Sequence, residues 1–163
     1  MIVLLAVAAC SSRRDAKSLS TSDDVLATFP ALGAVRLGDP LESARAKLPR
    51  LAPSGWAEGT RATWLDPEFE AGLEIETDRG NIRAVAVTLG PERSGEVEEQ
   101  LTSRLGRGVE CSPLPEGISS FRPRLWRMPD GGGVSLMRKQ RILTLRLEKP
   151  AGAAFETAWK TCQ

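Results

Sequence analysis

Two periodicities alternate along this chain. Leu41, Ala44 and Leu48 recur at helical spacing, while Leu73 and Ile75 alternate with Glu74 and Glu76 at strand spacing. The first pattern predicts a helix led by Asp39 as N-cap, Pro40 at N1 and Glu42 at capping-box spacing, and stopped by Pro49. A strand is expected over 61–65. A hairpin follows: Gly72–Thr77, the turn Asp78-Arg79-Gly80-Asn81, then Ile82–Leu89. A three-residue loop there pairs Ile75 with Val85 and Leu73 with Val87. It leaves Glu74 and Glu76 on the outer face, opposite Ala86 and Ala84.

The same order then recurs. A helix from Ser94 carries Val97, Leu101 and Leu105 on one face, with acids crowded at its start and Arg104 near its end. Gly106 or Gly108 stops it. After a Pro-rich stretch from Cys111 to Gly117 come a strand near 121–128, the turn Asp130-Gly131-Gly132-Gly133, and strands 134–138 and 141–147. A Lys139-Gln140 loop would pair Leu136 with Leu143 and Val134 with Leu145. Trp64 and Trp126 fall at similar places in the two units. A closing helix over 151–161 sets Phe155 and Trp159 four residues apart.

These elements predict an α+β fold. It consists of two tandem helix-plus-three-strand antiparallel units, about 35–90 and 94–149, and a C-terminal helix. The chain has 163 residues, of which 41% are hydrophobic, enough for one domain with a core, expected over 31–163. The element order, and the Leu37-Gly38 lead into a helix, resemble the outer-membrane assembly lipoproteins and the tandem-repeat β-lactamase inhibitory proteins over roughly Val35 to Pro150. Both families hold other proteins without catalysis. The resemblance implies a protein-binding or accessory role and transfers no binding residue.

Ahead of this domain, residues 11–30 are polar and Ser-rich and read as a flexible tether, with a reach of roughly 25 Å. The alternative is an arm that packs Val25, Leu26 and Phe29 on the domain. The opening run MIVLLAVAACSS is apolar and ends in small residues and a cysteine. Val7-Ala8-Ala9-Cys10 resembles the lipobox of bacterial lipoproteins. The resemblance implies a signal peptide over 1–9 and a lipid on Cys10. It also implies a cell-envelope location on the outer membrane facing the periplasm, the pattern that Ser11 after the cysteine suggests. No basic residue precedes the apolar run, so the natural start is expected upstream of Met1. The run is too short to span a bilayer, which takes about 20 apolar residues. A core strand is the alternative.

The chain holds three cysteines. If lipid takes Cys10, Cys111 and Cys162 remain, and an oxidising periplasm favours a disulfide between them. The alternative is two unpaired buried thiols. There is no histidine, so no Cys–His pair can form.

Net charge is +1, which gives no global field for nucleic acid. The charge is unevenly divided: 58–99 is acid-rich and 121–149 is base-rich. Either the two stretches solvate and attract each other, or the basic one docks an acidic partner. Arg122, Arg124 and Arg138, with Trp126 as an anchor, are the candidate partner-binding residues. Core is the favoured reading of Trp126, ahead of an interface anchor. Such a patch would also suit anionic lipid, lipopolysaccharide or peptidoglycan. The acids 68–78 lack EF-hand spacing, so no metal is expected. No nucleophile elbow, P-loop or H-E-x-x-H occurs, so neither an enzyme nor a cofactor is expected, and a hydrolase is the least favoured reading.

Overall fold

The computed structural model describes residues 19–29, 32, 35–48, 52–53, 61–66, 71–111, 123–139 and 142–163. Helices are α1 (Ser22–Leu26), α2 (Leu41–Lys47), α3 (Pro91–Leu105) and α4 (Ala153–Cys162). Strands are β1 (Ala52–Pro53), β2 (Arg61–Asp66), β3 (Ala71–Asp78), β4 (Asn81–Leu89), β5 (Val109–Glu110), β6 (Arg124–Arg127), β7 (Gly133–Lys139) and β8 (Ile142–Glu148). All eight form one antiparallel sheet in the order β1-β2-β3-β4-β8-β7-β6-β5. The fold is α+β. Each helix-plus-strand unit contributes four neighbouring strands, the expected three plus a two-residue edge strand. The units meet where β4 pairs with β8.

The β3–β4 hairpin has the expected register, with Ile75 opposite Val85 and Leu73 opposite Val87. The β7–β8 hairpin differs. Leu136 pairs with Leu145 and Val134 with Leu147, a shift of two residues, because Lys139 itself pairs with Ile142. A two-residue shift keeps every side chain on its face, so burial alone did not distinguish the two registers.

One sheet face carries the main core. Ile75, Val85, Val134, Leu145 and Leu147 are fully buried there. They cluster with Val25 and Leu26 of α1, Ala44 of α2, and Val97 and Leu101 of α3. α4 packs on the opposite face, where Phe155 clusters with Leu125 and Cys111. A Cβ on Gly133 would lie 2.8 Å from the Phe155 ring, so this position in β7 needs glycine for α4 to lie close. The Cys111–Cys162 disulfide is present, with Cα atoms 4.7 Å apart, and ties the end of α4 to the residue after β5.

Two helix starts differ from expectation. α2 begins at Leu41 with Pro40 as its cap, and no side chain caps it. Asp39 is engaged otherwise: its carbonyl accepts from Ile82 N at 2.8 Å, while Gly38 N donates to Ile82 O at 2.8 Å. The lead into α2 is thereby pinned along the start of β4. α3 begins at Pro91, three residues before Ser94, with Gly90 as its cap.

Of the stretch expected as a tether, the described residues 19–29 pack on the domain, as in the alternative reading of an arm. Leu19, Val25, Leu26, Phe29 and Leu32 are all buried in the main core. Thr21 and Asp24 form a capping box at the start of α1: Thr21 Oγ1 accepts from Asp24 N at 3.1 Å, and Asp24 Oδ2 accepts from Thr21 N at 2.9 Å. The pattern Thr21-Ser22-Asp23-Asp24 was the available signal for this arm. The signal-peptide segment and Cys10 lie outside the described residues.

Candidate functional site

The expected basic patch is taken up inside the molecule. Arg124 faces α3 from β6. Its Nη1 donates to Thr102 Oγ1 at 3.1 Å and lies 3.6 Å from Glu98, while its Nη2 donates to Glu110. Arg138 of β7 pairs with Glu98 as well. Trp126 is 4% exposed, and its indole N–H donates to Gly106 O at 3.0 Å, the cap of α3. The anchor reading of Trp126 is therefore corrected: it is core. These three residues bind α3 to the sheet, and the acidic and basic stretches attract each other across that joint. Arg122 lies outside the described residues.

A different group of charges lies on the other sheet face, beneath the start of α4. Alternation places Glu76 of β3, Ala84 and Ala86 of β4, and Arg146 and Glu148 of β8 on one face. The alanines leave room for long neighbours to reach over them. Arg146 Nη1 and Nη2 donate to the two oxygens of Glu76 at 3.2 and 2.7 Å, and Nη2 lies 3.5 Å from Glu148. The hydrogen bonds to Glu76 raise the Arg146 pKa above the usual guanidinium value, against the opposing effect of burial, with Glu148 adding to the attraction. Arg146 is thus a fixed cation.

These residues floor a cleft of about 330 Å³, walled by Phe155 and Ala158 of α4 and by Leu125 and Met137 of the sheet. Arg83 and Gly152 stand at the same cleft. Ser135 is the hydroxyl that lines it, with no histidine in the chain to serve as its base. The arrangement suits holding a ligand by mixed polar and apolar contacts. Sequence reasoning missed this cleft because it needs the β4–β8 junction. The signal that existed was the outward position of Glu76 opposite Ala84.

Beyond the cleft, Ala86, Thr88 and Thr144 are half-buried on this face. Ile142 at its end is 48% exposed, the largest such apolar residue among those described. Among the described residues no group of three His, Cys, Asp or Glu could hold a metal, and no helix is long and apolar enough to cross a membrane.

No family model matches the chain, and no curated protein does. Among solved structures, it is similar to a DUF4309-family protein, YjgB, from Bacillus subtilis, at 13% identity and a TM-score of 0.49. That match covers 67% of this chain and 77% of the other. It is also similar to a cysteine-rich secretory protein, SAV1118, from Staphylococcus aureus, at 15% identity and a TM-score of 0.39, over 69% of this chain. The chain spans 44% of the length of that second protein.

Proposed function

We propose that this is a lipid-anchored cell-envelope protein that holds a protein partner as an accessory or assembly module and performs no chemistry on it. The observation that carries this reading is the sheet face bearing α4. Of the described helices, α4 packs there, and Ala86, Thr88, Thr144 and exposed Ile142 stay accessible beside the cleft. This stretch of sheet carries no charged side chain at Ala86, Thr88, Thr144 or Ile142, so covering it with another protein desolvates no ion there. The Cys111–Cys162 disulfide supports an oxidising compartment, which agrees with the lipobox-like Val7-Ala8-Ala9-Cys10. The pairing of Arg124 and Arg138 with acids of this chain removes support for a basic patch that captures anionic envelope polymer or lipid.

Cross-linking in intact cells, followed by mass spectrometry, tests the partner. One reproducible protein, lost when Thr88 and Thr144 are both replaced by Arg, is the expected result. Capture of no protein, or of the same protein by the variant, would count against it. Cys10→Ser tests the anchor separately: the variant should leave the membrane fraction.

A further inference from the structure

Arg124, Arg127, Arg138, Arg146 and Lys149 each meet an acid of this chain. Arg36, Arg79 and Arg83 are exposed and have no acid partner among the described residues. All three stand at one end of the sheet. Arg79 lies in the β3–β4 turn, and Arg83, near the start of β4, accepts from Lys149 N through its carbonyl at 2.9 Å. Arg36 leads into α2: its carbonyl accepts from Asp39 N at 3.3 Å, and Asp39 O accepts from Ile82 N at 2.8 Å. The β6–β7 turn is at this end as well, because Gly133 pairs with Arg127 and with Glu148, which pairs with Ala84. Ser22 donates to Asp130 of that turn, so the N-terminal arm starts here too.

Arg79 has φ +51°, in the left-handed region where Asn or Gly sits at less cost. No side-chain contact among the described residues offsets that backbone. A strained residue kept at the surface points to a use outside the molecule. The acids at this end are mostly engaged by hydrogen bonds. Asp23 accepts from Leu37 N, Asp24 from Ser20 and Thr21, and Asp130 from Ser22 while it meets Lys149. Asp39 and Asp78 remain, while Arg13, Arg14 and Lys17, against Asp15, add positive charge in the sequence ahead of Leu19. The side chains left to meet an outside group are therefore mainly cationic.

Covalent geometry limits how far this end stands from an anchor. Leu19 follows Cys10 by nine positions, which cover at most about 30 Å when fully extended. A lipid on Cys10 thus keeps the arm end near the bilayer. Ile142 is at the other end of β8 from Glu148, about 20 Å along the strand.

We propose that Arg36, Arg79 and Arg83 dock this end of the sheet on the anionic headgroups of the bilayer that holds the lipid. The accessible face at Thr88, Thr144 and Ile142 then points away from the membrane, toward the partner. The inference rests on the lipid-anchor reading and adds which end meets the membrane. A lipid chain and a basic patch together bind more firmly than either alone. Without the lipid the attraction is weak and screened at physiological salt, so the Cys10→Ser chain still leaves the membrane fraction.

The test uses the full chain with Cys10→Ser and sedimentation with vesicles of phosphatidylglycerol or of phosphatidylcholine at low salt. The ratio of the two affinities is the readout, which cancels any contribution of the apolar run at residues 1–9. A preference for phosphatidylglycerol that falls as salt rises is expected. Replacing all three arginines by Gln should reduce that preference about a hundredfold, since each basic residue near an anionic bilayer strengthens binding about fivefold. Arg79→Gly should reduce it about fivefold while leaving the Tm equal or higher, because glycine suits the positive φ. That variant serves if the triple one unfolds. Lys160→Gln removes the same charge beside the disulfide at the end of α4 and should leave the preference unchanged. No preference for phosphatidylglycerol, an unchanged ratio in the arginine variants, or an equal loss in Lys160→Gln would overturn the proposal. If the vesicle test fails while the wild-type protein still fractionates with membranes in cells, the docking end falls and the anchor reading stands. If the vesicle test succeeds and the wild-type protein is found outside the membrane fraction, the headgroup surface stands and the anchor reading falls.

Discussion

Ser22 and Asp130 are 108 positions apart in sequence, yet Asp130 accepts hydrogen bonds from both the Ser22 amide, at 3.2 Å, and the Ser22 hydroxyl, at 3.3 Å. Asp130 also accepts from Gly132 N at 3.1 Å and meets Lys149 Nζ at 3.3 Å. The β6–β7 turn thus receives the first residue of α1 and fixes the N-terminal arm to the far unit. Ser22 is fully buried, so its partner is costly to remove. Asp130→Ala should destabilise the fold by about 1–3 kcal/mol, read as a lower urea midpoint, with faster proteolysis ahead of residue 35. Gly132→Ala should do similar damage, because its Cβ would come within 2.1 Å of Ser22 Oγ. Wild-type protease resistance in either variant would contradict this account.

Acid should loosen the same arm. Hydrogen bonds from Thr21 and Ser20 lower the Asp24 pKa to about 2. For Asp130, burial acts to raise the pKa, but the Ser22 and Gly132 amides and Lys149 together lower it. Unfolded carboxyls of this kind titrate near about 3.9, so the unfolded chain binds more protons between that value and the folded one. Their stabilisation is therefore present above about pH 4 and is lost as pH falls toward 2. The Tm difference between wild type and Asp24→Asn/Asp130→Asn should shrink over that window. A constant difference would contradict the linkage.

The disulfide holds the last helix. It spans 51 positions, and a loop near that length is worth on the order of 4 kcal/mol in the chain-entropy model. Cys111→Ser/Cys162→Ser should lower the urea midpoint by that order, and reductant should not affect the double variant further. Phe155 stacks on Trp159 at 5.9 Å, Arg127 sits 5.5 Å from the Trp159 ring, and Arg127 pairs with Glu156. These contacts should keep α4 docked on average at neutral pH, with faster amide exchange in its last turn.

The α3 joint should respond to charge order. Arg138→Glu sets two acids together at Glu98 and should cost about 0.5–1 kcal/mol, because Arg138 is partly exposed and water screens the pair, with part of the loss recovered by adding Glu98→Lys. Gly108→Ala should also destabilise. Gly108 has φ +68°, and a Cβ there would lie 2.7 Å from the Trp126 ring. Thermal unfolding of the three variants checks both statements, and no recovery in the double variant would contradict the pairing.

Much of this molecule was legible from local pattern. The order of elements, the faces of β3 and β4, and the Phe155–Trp159 pair follow from periods of two and 3.6 residues, which are properties of short segments. Cysteine parity pointed to Cys111 and Cys162. The β7–β8 register was readable only to within two residues, since either alignment buries Val134, Leu136, Leu143 and Leu145. Tertiary structure alone decided that β4 and β8 join the units, that α1 closes the core through Ser22 and Asp130, and that Arg124 and Arg138 spend their charge on α3. It likewise decided that Glu76, Arg146 and Glu148 share a floor beneath Gly152. Each of these depends on contacts between distant segments. Such contacts form only when the buried area and hydrogen bonds of the whole sheet outweigh the entropy of closing long loops, a balance no short window of sequence contains.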